Sequence, residues 1–145
     1  MNLRVERIES LKSGLVAAGC FTVAFAIVTI INHGLLAKRF VNLTALQINS
    51  DLRLLVSSAI ALSTGFLFGV AYRYIIRSDR NPHLQQGAIF AFGLTRGLAQ
   101  FDVGWQDPTT LWSAAILGVE NIWLFAMTAL TLDWTIRRKW IKPLE

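Results

Sequence analysis

Two opposite charges stand inside apolar runs of this chain. Arg96 lies in Ala91-Phe92-Gly93-Leu94-Thr95-Arg96-Gly97-Leu98-Ala99-Gln100, and Glu120 lies in the run from Leu111 to Leu132. An ionised side chain at the centre of a membrane helix costs about 2.5 to 3.5 kcal/mol on insertion scales, so each needs a reason to be there. Arg96 is about five residues before Phe101, and Glu120 about nine after Leu111. At about 1.5 Å of rise per residue the two reach similar depths on consecutive helices. Asn121 is next to Glu120, and Gln100 is one turn from Arg96 on the same face. Three chemistries fit this group. The first is a buried ion pair that sets the register of two helices. The second is a polar binding or transport site. The third is a glutamate pigment ligand balanced by arginine, although the glutamate motif of light-harvesting helices does not occur here. The spacing predicts a direct Arg96–Glu120 pair.

Other chemistry finds little support. His33 and His83 fall at opposite ends of the expected bundle, so one monomer cannot use them as a two-histidine haem or metal site. Cys20 is the single cysteine, which removes internal disulfides and cysteine-based metal sites. No Ser-His-Asp order, HExxH or phosphate-binding loop occurs. The reading is therefore of a non-catalytic protein with no cofactor and no metal. A net charge of +5 can signal nucleic-acid binding, but the placement of the charge argues against it.

The elements that must carry these residues are membrane helices. The 145 residues are 54% apolar and 16% charged, which leaves room for one domain, 1–145. Four apolar blocks predict spans over about 13–36, 52–76, 83–101 and 109–133, near the roughly 20 residues a helix needs to cross a hydrocarbon core of about 30 Å. The expected fold is all-α, an integral membrane four-helix bundle. Residues 1–12 read as an amphipathic interfacial segment, with Ile8, Leu11 and Leu15 at helical spacing and Arg4, Arg7 and Lys12 opposite. The apolar stretch is too long for a cleavable signal peptide. With four alternating spans, Arg4, Arg7, Lys12, Arg73, Arg77, Arg80, Arg137, Arg138, Lys139 and Lys142 share one side, against Lys38, Arg39 and Arg53 on the other. The positive-inside rule then places both termini on the cytoplasmic side of a plasma or thylakoid membrane. Tyr72, Tyr74, Trp134 and Trp140 at one level, and Trp105 and Trp112 at the other, suit the headgroup zones.

Local signals mark the boundaries. Asn81-Pro82 and Asp107-Pro108 each place a capping side chain before a proline at the first helical position, and Ser50 or Asp51 can cap the second span. The long first loop, Ala37 to Arg53, holds the sequon Asn42-Leu43-Thr44, a short pattern that arises readily by chance. The third span carries Gln85, Gln86, Arg96 and Gln100, so it is expected to be shielded by its neighbours. Gly65 with Gly69, and Gly93 with Gly97, have GxxxG spacing, which lets helix backbones approach closely. Gly87 and Ala91 would extend the small face of span three, and Gly14 with Ala18 would supply one on span one. Leu11-Lys12-Ser13-Gly14 is similar to Leu84-Gln85-Gln86-Gly87, and Ser57-Ser58-Ala59-Ile60 to Ser113-Ala114-Ala115-Ile116, a pattern consistent with two parallel-repeat hairpins.

Gly65 through Tyr74 resembles the glycine-rich arginine-tyrosine helix of bacterial fluoride channels, but there that helix comes first, and here it is the second. Small multidrug transporters also have four spans and one membrane glutamate, but theirs lies in the first span, unlike Glu120. The stretch from Gly69 through Asn81-Pro82 to Gln100, about a quarter of the chain, resembles small uncharacterised four-span membrane proteins of cyanobacteria and plant plastids. That resemblance implies a thylakoid or plasma membrane setting and no particular activity. Packing faces without catalytic groups suggest an accessory or assembly component of a larger membrane complex. Its partners would be the lipid bilayer and another membrane protein or a second copy. The alternative is a small homodimeric transporter or channel, with a polar path near Arg96 and Glu120.

Overall fold

The computed structural model describes residues 3–36, 51–76, 81–105 and 110–143. The first-loop sequon, Lys38, Arg39, Ser50, Arg77, Arg80 and the Asp107-Pro108 cap lie outside the described residues. Four helices make up nearly all of the rest: α1 (Leu3–Ile31), continued by a π-helical turn (Asn32–Leu36), α2 (Asp51–Ile76), α3 (Pro82–Gly104) and α4 (Leu111–Arg137). Helices α1, α2 and α4 are long and apolar enough to cross a membrane. Helix α3 has 23 residues, but its glutamines and Arg96 keep it out of that set.

The boundaries follow from side-chain chemistry. Asn81 Oδ1 accepts the His83 N–H at 3.0 Å, and Pro82 opens α3. This satisfies a donor that the first helical turn leaves without a backbone partner. Helix α4 begins at Leu111 after Thr110, whose side chain makes no cap hydrogen bond. It ends in a paired turn: Lys139 N–H donates to Ile136 C=O and Trp140 N–H to Thr135 C=O, each at 3.0 Å. Lys139 takes φ 59°, a left-handed conformation usually given to glycine at this position. The turn sends Ile141 and Lys142 back beneath the bundle, where Ile141 is buried.

Two antiparallel hairpins form the bundle, α1 with α2 and α3 with α4, and the main contact between them is α1 against α4. Their closeness depends on glycine. A Cβ on Gly65 would come within 2.6 Å of Phe21 Cβ and 2.9 Å of Ala17 C=O. One on Gly69 would overlap Ala17 Cβ and reach 2.5 Å from Ser13 C=O. On the other hairpin, Gly93 would meet Ile122 Cα at 2.9 Å, and Gly97 would meet Gly118 Cα at 3.0 Å. Ser13 Oγ donates to Gly69 C=O at 2.7 Å, a bond that only such an approach permits.

Several expectations are corrected. Gly87 would meet nothing within 4 Å and Ala91 is exposed, so the small face of α3 stops at Gly93. The matched position in the apparent repeat, Gly14, instead packs on Phe66, so the two hairpins do not pack through equivalent residues. Helix α3 is not shielded all round. Ala88, Gly93 and Gly97 are buried, while Leu84, Phe90, Leu94 and Leu98 are exposed. It turns Gln85, Arg96 and Gln100 inward, while Gln86 is exposed with its leucines. Residues 3–12 do extend the first span as continuous helix, forming the opening turns of α1. Their apolar Leu3, Ile8 and Leu11 face outward, and the polar Glu9, Ser10 and Ser13 are buried against α2 and the C-terminal turn.

We expect Gly69→Leu and Gly97→Leu to lower the folded yield in mild detergent several-fold, and Gly87→Leu to match Leu94→Ile as a near-neutral control. Size-exclusion profiles of the four variants check this. Equal loss at Gly87 would contradict the packing described.

Candidate functional site

The four helices each contribute one phenylalanine to a layer across the bundle. Ring centroids of Phe21 and Phe125 are 4.9 Å apart, Phe68 and Phe125 4.9 Å, Phe68 and Phe92 5.2 Å, and Phe92 and Phe125 5.8 Å. Tilted and edge-on ring pairs of this kind add to the burial they provide. The layer divides the polar residues into two groups.

On the side away from the termini lies a cleft of about 510 Å³. Its polar wall is made by Asn32, Arg96, Gln100, Glu120 and Asn121, with Ser57 from α2. Phe25, Val28, Ile60, Leu117 and Leu124 line the remainder. All four site residues expected from sequence are brought together here. The expected direct pairing is not made. Arg96 donates from Nε to Asn121 Oδ1 and from Nη1 to Thr64 Oγ1, each at 2.8 Å. Its guanidinium also lies 5.6 Å from the Phe21 ring centroid, on the aromatic layer. Glu120 Oε2 accepts instead from Asn32 Nδ2 at 3.0 Å. The reason is azimuth. Successive helical residues point about 100° apart, so Asn121 faces α3 while Glu120 is turned towards α1. Asn121 completes its set through Nδ2, which donates to Gln100 Oε1 at 2.5 Å and to Leu117 C=O at 2.7 Å.

A second depression of about 430 Å³ runs along the flank between α2 and α3. Thr64, Leu67, Ala91, Phe92, Thr95, Ala99 and Phe125 line it, together with Arg96. Arg96 and Ala99 therefore border both spaces.

On the terminal side of the aromatic layer, Tyr72 Oη donates to Asp133 Oδ1 at 2.9 Å, and Gln85 Nε2 donates to Asp133 Oδ2 at 2.6 Å. Below this sits Arg73, whose residue is 1% exposed. Its Nη2 pairs with Glu6 Oε2 at 2.6 Å. Its Nη1 donates to Ser10 Oγ at 2.8 Å and to Glu6 C=O at 3.2 Å, and its Nε to Lys142 C=O at 2.9 Å. Lys142 N–H donates to Glu9 Oε2 at 2.9 Å, and Lys12 Nζ meets Glu9 Oε1 at 2.8 Å. This clasp ties the start of α1, the end of α2 and the C-terminal turn into one unit.

Sequence reading took Arg73 as one of ten orienting charges and missed the clasp. It also missed Asn32, Thr64, Tyr72, Gln85 and Asp133 as partners. Asp133, an acid near the end of an apolar helix, carried a signal. Asn32 and Thr64 look like ordinary polar residues until the helices are assembled. Among the described residues, no three His, Cys, Asp or Glu side chains gather where a metal could be held. Compared with known proteins, the chain matches no family model, no curated protein and no solved structure.

Two outcomes test this geometry. In a double-mutant cycle by detergent unfolding, Arg96→Leu with Asn121→Leu should show a coupling of about 1 to 3 kcal/mol, as for residues in one hydrogen-bond network. The coupling of Arg96→Leu with Glu120→Leu should be the smaller of the two. The reverse order would restore the direct ion pair. Arg73→Lys should destabilise by at least about 2 kcal/mol, because an ammonium cannot reproduce a guanidinium fork bonded to several acceptors. A loss below about 0.5 kcal/mol, the level of an ordinary surface change, would remove the clasp from the account.

Proposed function

We propose that this is a non-catalytic, multi-pass membrane protein that works as an accessory or assembly component of a larger membrane complex. The observation that carries the reading is the phenylalanine layer. It lies between the cleft and the Tyr72–Gln85–Asp133 cluster, which supports two separate polar regions over one path through the bundle. A bundle closed in this way is suited to binding and to holding shape. The exterior supports the same role. Large apolar side chains, among them Leu67, Leu98, Val119 and Trp112, are exposed around its circumference, a surface for lipid or for another membrane helix.

The proposal includes topology. The clasp gathers Glu6, Arg73 and Lys142 at one end, which supports four alternating crossings with both termini on the same side. The excess of basic residues there supports the cytoplasmic side of a plasma membrane, or the stromal side of a thylakoid. Helix α3 then crosses with Gln85, Arg96 and Gln100 turned into the bundle.

A second reading, a small homodimeric transporter or channel, is favoured by the cleft itself. It requires the phenylalanine layer to open. Phe125→Ala would raise solute flux in proteoliposomes under that reading and leave it at background under the first.

Mild detergent extraction followed by sizing separates the two. We expect recovery in a large assembly with other polypeptides. Recovery solely as a monomer or dimer would overturn the accessory reading. Protease protection should find both termini on one face, and opposite faces would mean that α3 does not cross.

A further inference from the structure

The cleft wall presents both signs of charge, and neither satisfies the other. Arg96 bonds through Nε and Nη1, which leaves Nη2 with no hydrogen bond among the described residues. Gln100 uses Oε1 and keeps Nε2 as a donor. Opposite them, Glu120 uses Oε2 and keeps Oε1 as an acceptor. Asn32 is 3% exposed, and its Oδ1 has no hydrogen-bond partner. A buried carbonyl oxygen left in this state is costly, and in folded proteins such atoms are nearly always satisfied. Asn32 lines the cavity beside Glu120, with this oxygen itself covered. The site thus asks for an anionic acceptor beside Arg96 and Gln100, and a cationic N–H donor beside Glu120 and Asn32.

The adjoining groove adds the second half of the ligand. It is lined mainly by carbon, it runs on the flank between α2 and α3, and it meets the cleft at Arg96 and Ala99. An amphiphile can place its chain along Leu67, Ala91 and Phe92 while its head enters past Arg96. The cleft, at about 510 Å³, lies within the range of ordinary small-ligand sites.

We propose that the cleft and groove together bind one phospholipid whose headgroup joins a phosphate to a primary ammonium, as in phosphatidylethanolamine. The phosphate oxygens accept from Arg96 and Gln100. The ammonium donates to Glu120 Oε1, beside Asn32, whose Nδ2 already holds the other carboxylate oxygen. A choline head has the same charge but no N–H to give, and it would leave Glu120 Oε1 without a hydrogen bond. A glycerol head supplies hydroxyls without the positive charge that Glu120 calls for. This inference needs membrane insertion but not assembly with other proteins.

The test uses the full chain in detergent micelles, titrated with phosphatidylethanolamine, phosphatidylcholine or phosphatidylglycerol. Bound lipid is counted by native mass spectrometry, and the shift in thermal unfolding is read as linkage. One phosphatidylethanolamine per chain is expected, held at least tenfold more tightly than either other lipid. Glu120→Gln keeps an acceptor for Asn32 and should fold, and it should reduce the preference over phosphatidylcholine to within about threefold, the scale of losing one charge-assisted contact. Arg96→Gln should weaken all three lipids. Equal binding of the three by the native chain would overturn the proposal, as would an unchanged preference in Glu120→Gln.

Soluble phosphoethanolamine carries the same head without a chain, and Ala91→Trp fills the groove without touching the cleft. For a lipid site, Ala91→Trp abolishes retention of phosphatidylethanolamine, and phosphoethanolamine alone shifts unfolding little. If phosphoethanolamine stabilises as well as the lipid, and Ala91→Trp changes nothing, the ligand is a free zwitterion and the lipid assignment is overturned. The accessory reading is judged by co-purification from the same membranes. A preserved complex without lipid preference would overturn this inference alone.

Discussion

A hydrocarbon surround offers no hydrogen-bond partner and no hydrophobic drive between helices. Both facts shape this protein. Polar side chains must find partners inside the bundle, and the helices must be held by contact geometry and internal hydrogen bonds. The first demand explains why Glu9, Ser10, Ser13, Arg73, Asn121 and Thr128 are buried while leucines and isoleucines cover the outside. The second explains Gly65, Gly69, Gly93 and Gly97, where a single added carbon would collide with the neighbouring helix. The two are coupled. Ser13 reaches Gly69 C=O because the backbones have closed, and the closed backbones leave Ser13 fully buried with that partner.

From terminal end to opposite end, the interior is layered. The Arg73 clasp comes first, then the Tyr72–Asp133–Gln85 cluster, then the four phenylalanines, then the cleft. In the clasp and cluster, Arg73, Glu9 and Asp133 each hold more than one bond, and removal of one partner leaves the other stranded. The cleft differs. Asn121 is saturated, but Arg96, Glu120 and Asn32 retain capacity. Buried polar capacity without an internal partner is where binding is most naturally located. The four phenylalanines lie between that capacity and the Tyr72–Asp133–Gln85 cluster.

The sequence carried much of this. Long apolar blocks determined helices and a membrane setting, because backbone groups in lipid must be bonded within a helix. The Asn81-Pro82 dipeptide set the start of α3, because capping and proline placement are local effects. The glycine pairs marked the contact faces, because residues four apart share a side of a helix. Arg96, Gln100, Glu120 and Asn121 were recognisable as one group by depth alone. By contrast, the small face of Gly87 and Ala91 was read from spacing and turned out to be open.

Tertiary structure decided the partners. Depth along a helix can be counted from residue numbers, but rotation relative to three other helices cannot. Glu120 and Asn121 differ by one position and face different neighbours, so Arg96 bonds to the asparagine and the glutamate turns to Asn32. Arg73 reads in the sequence as a charge at a membrane edge. Its role as a clasp depends on Glu6 and Lys142, distant in the chain and joined by the fold. Helix identity, the start of α3 and the membrane setting are local or compositional properties and were determined by the sequence itself. Which polar atom satisfies which, and where capacity is left over, depends on the packing angles of the whole bundle and appeared only when the helices were assembled.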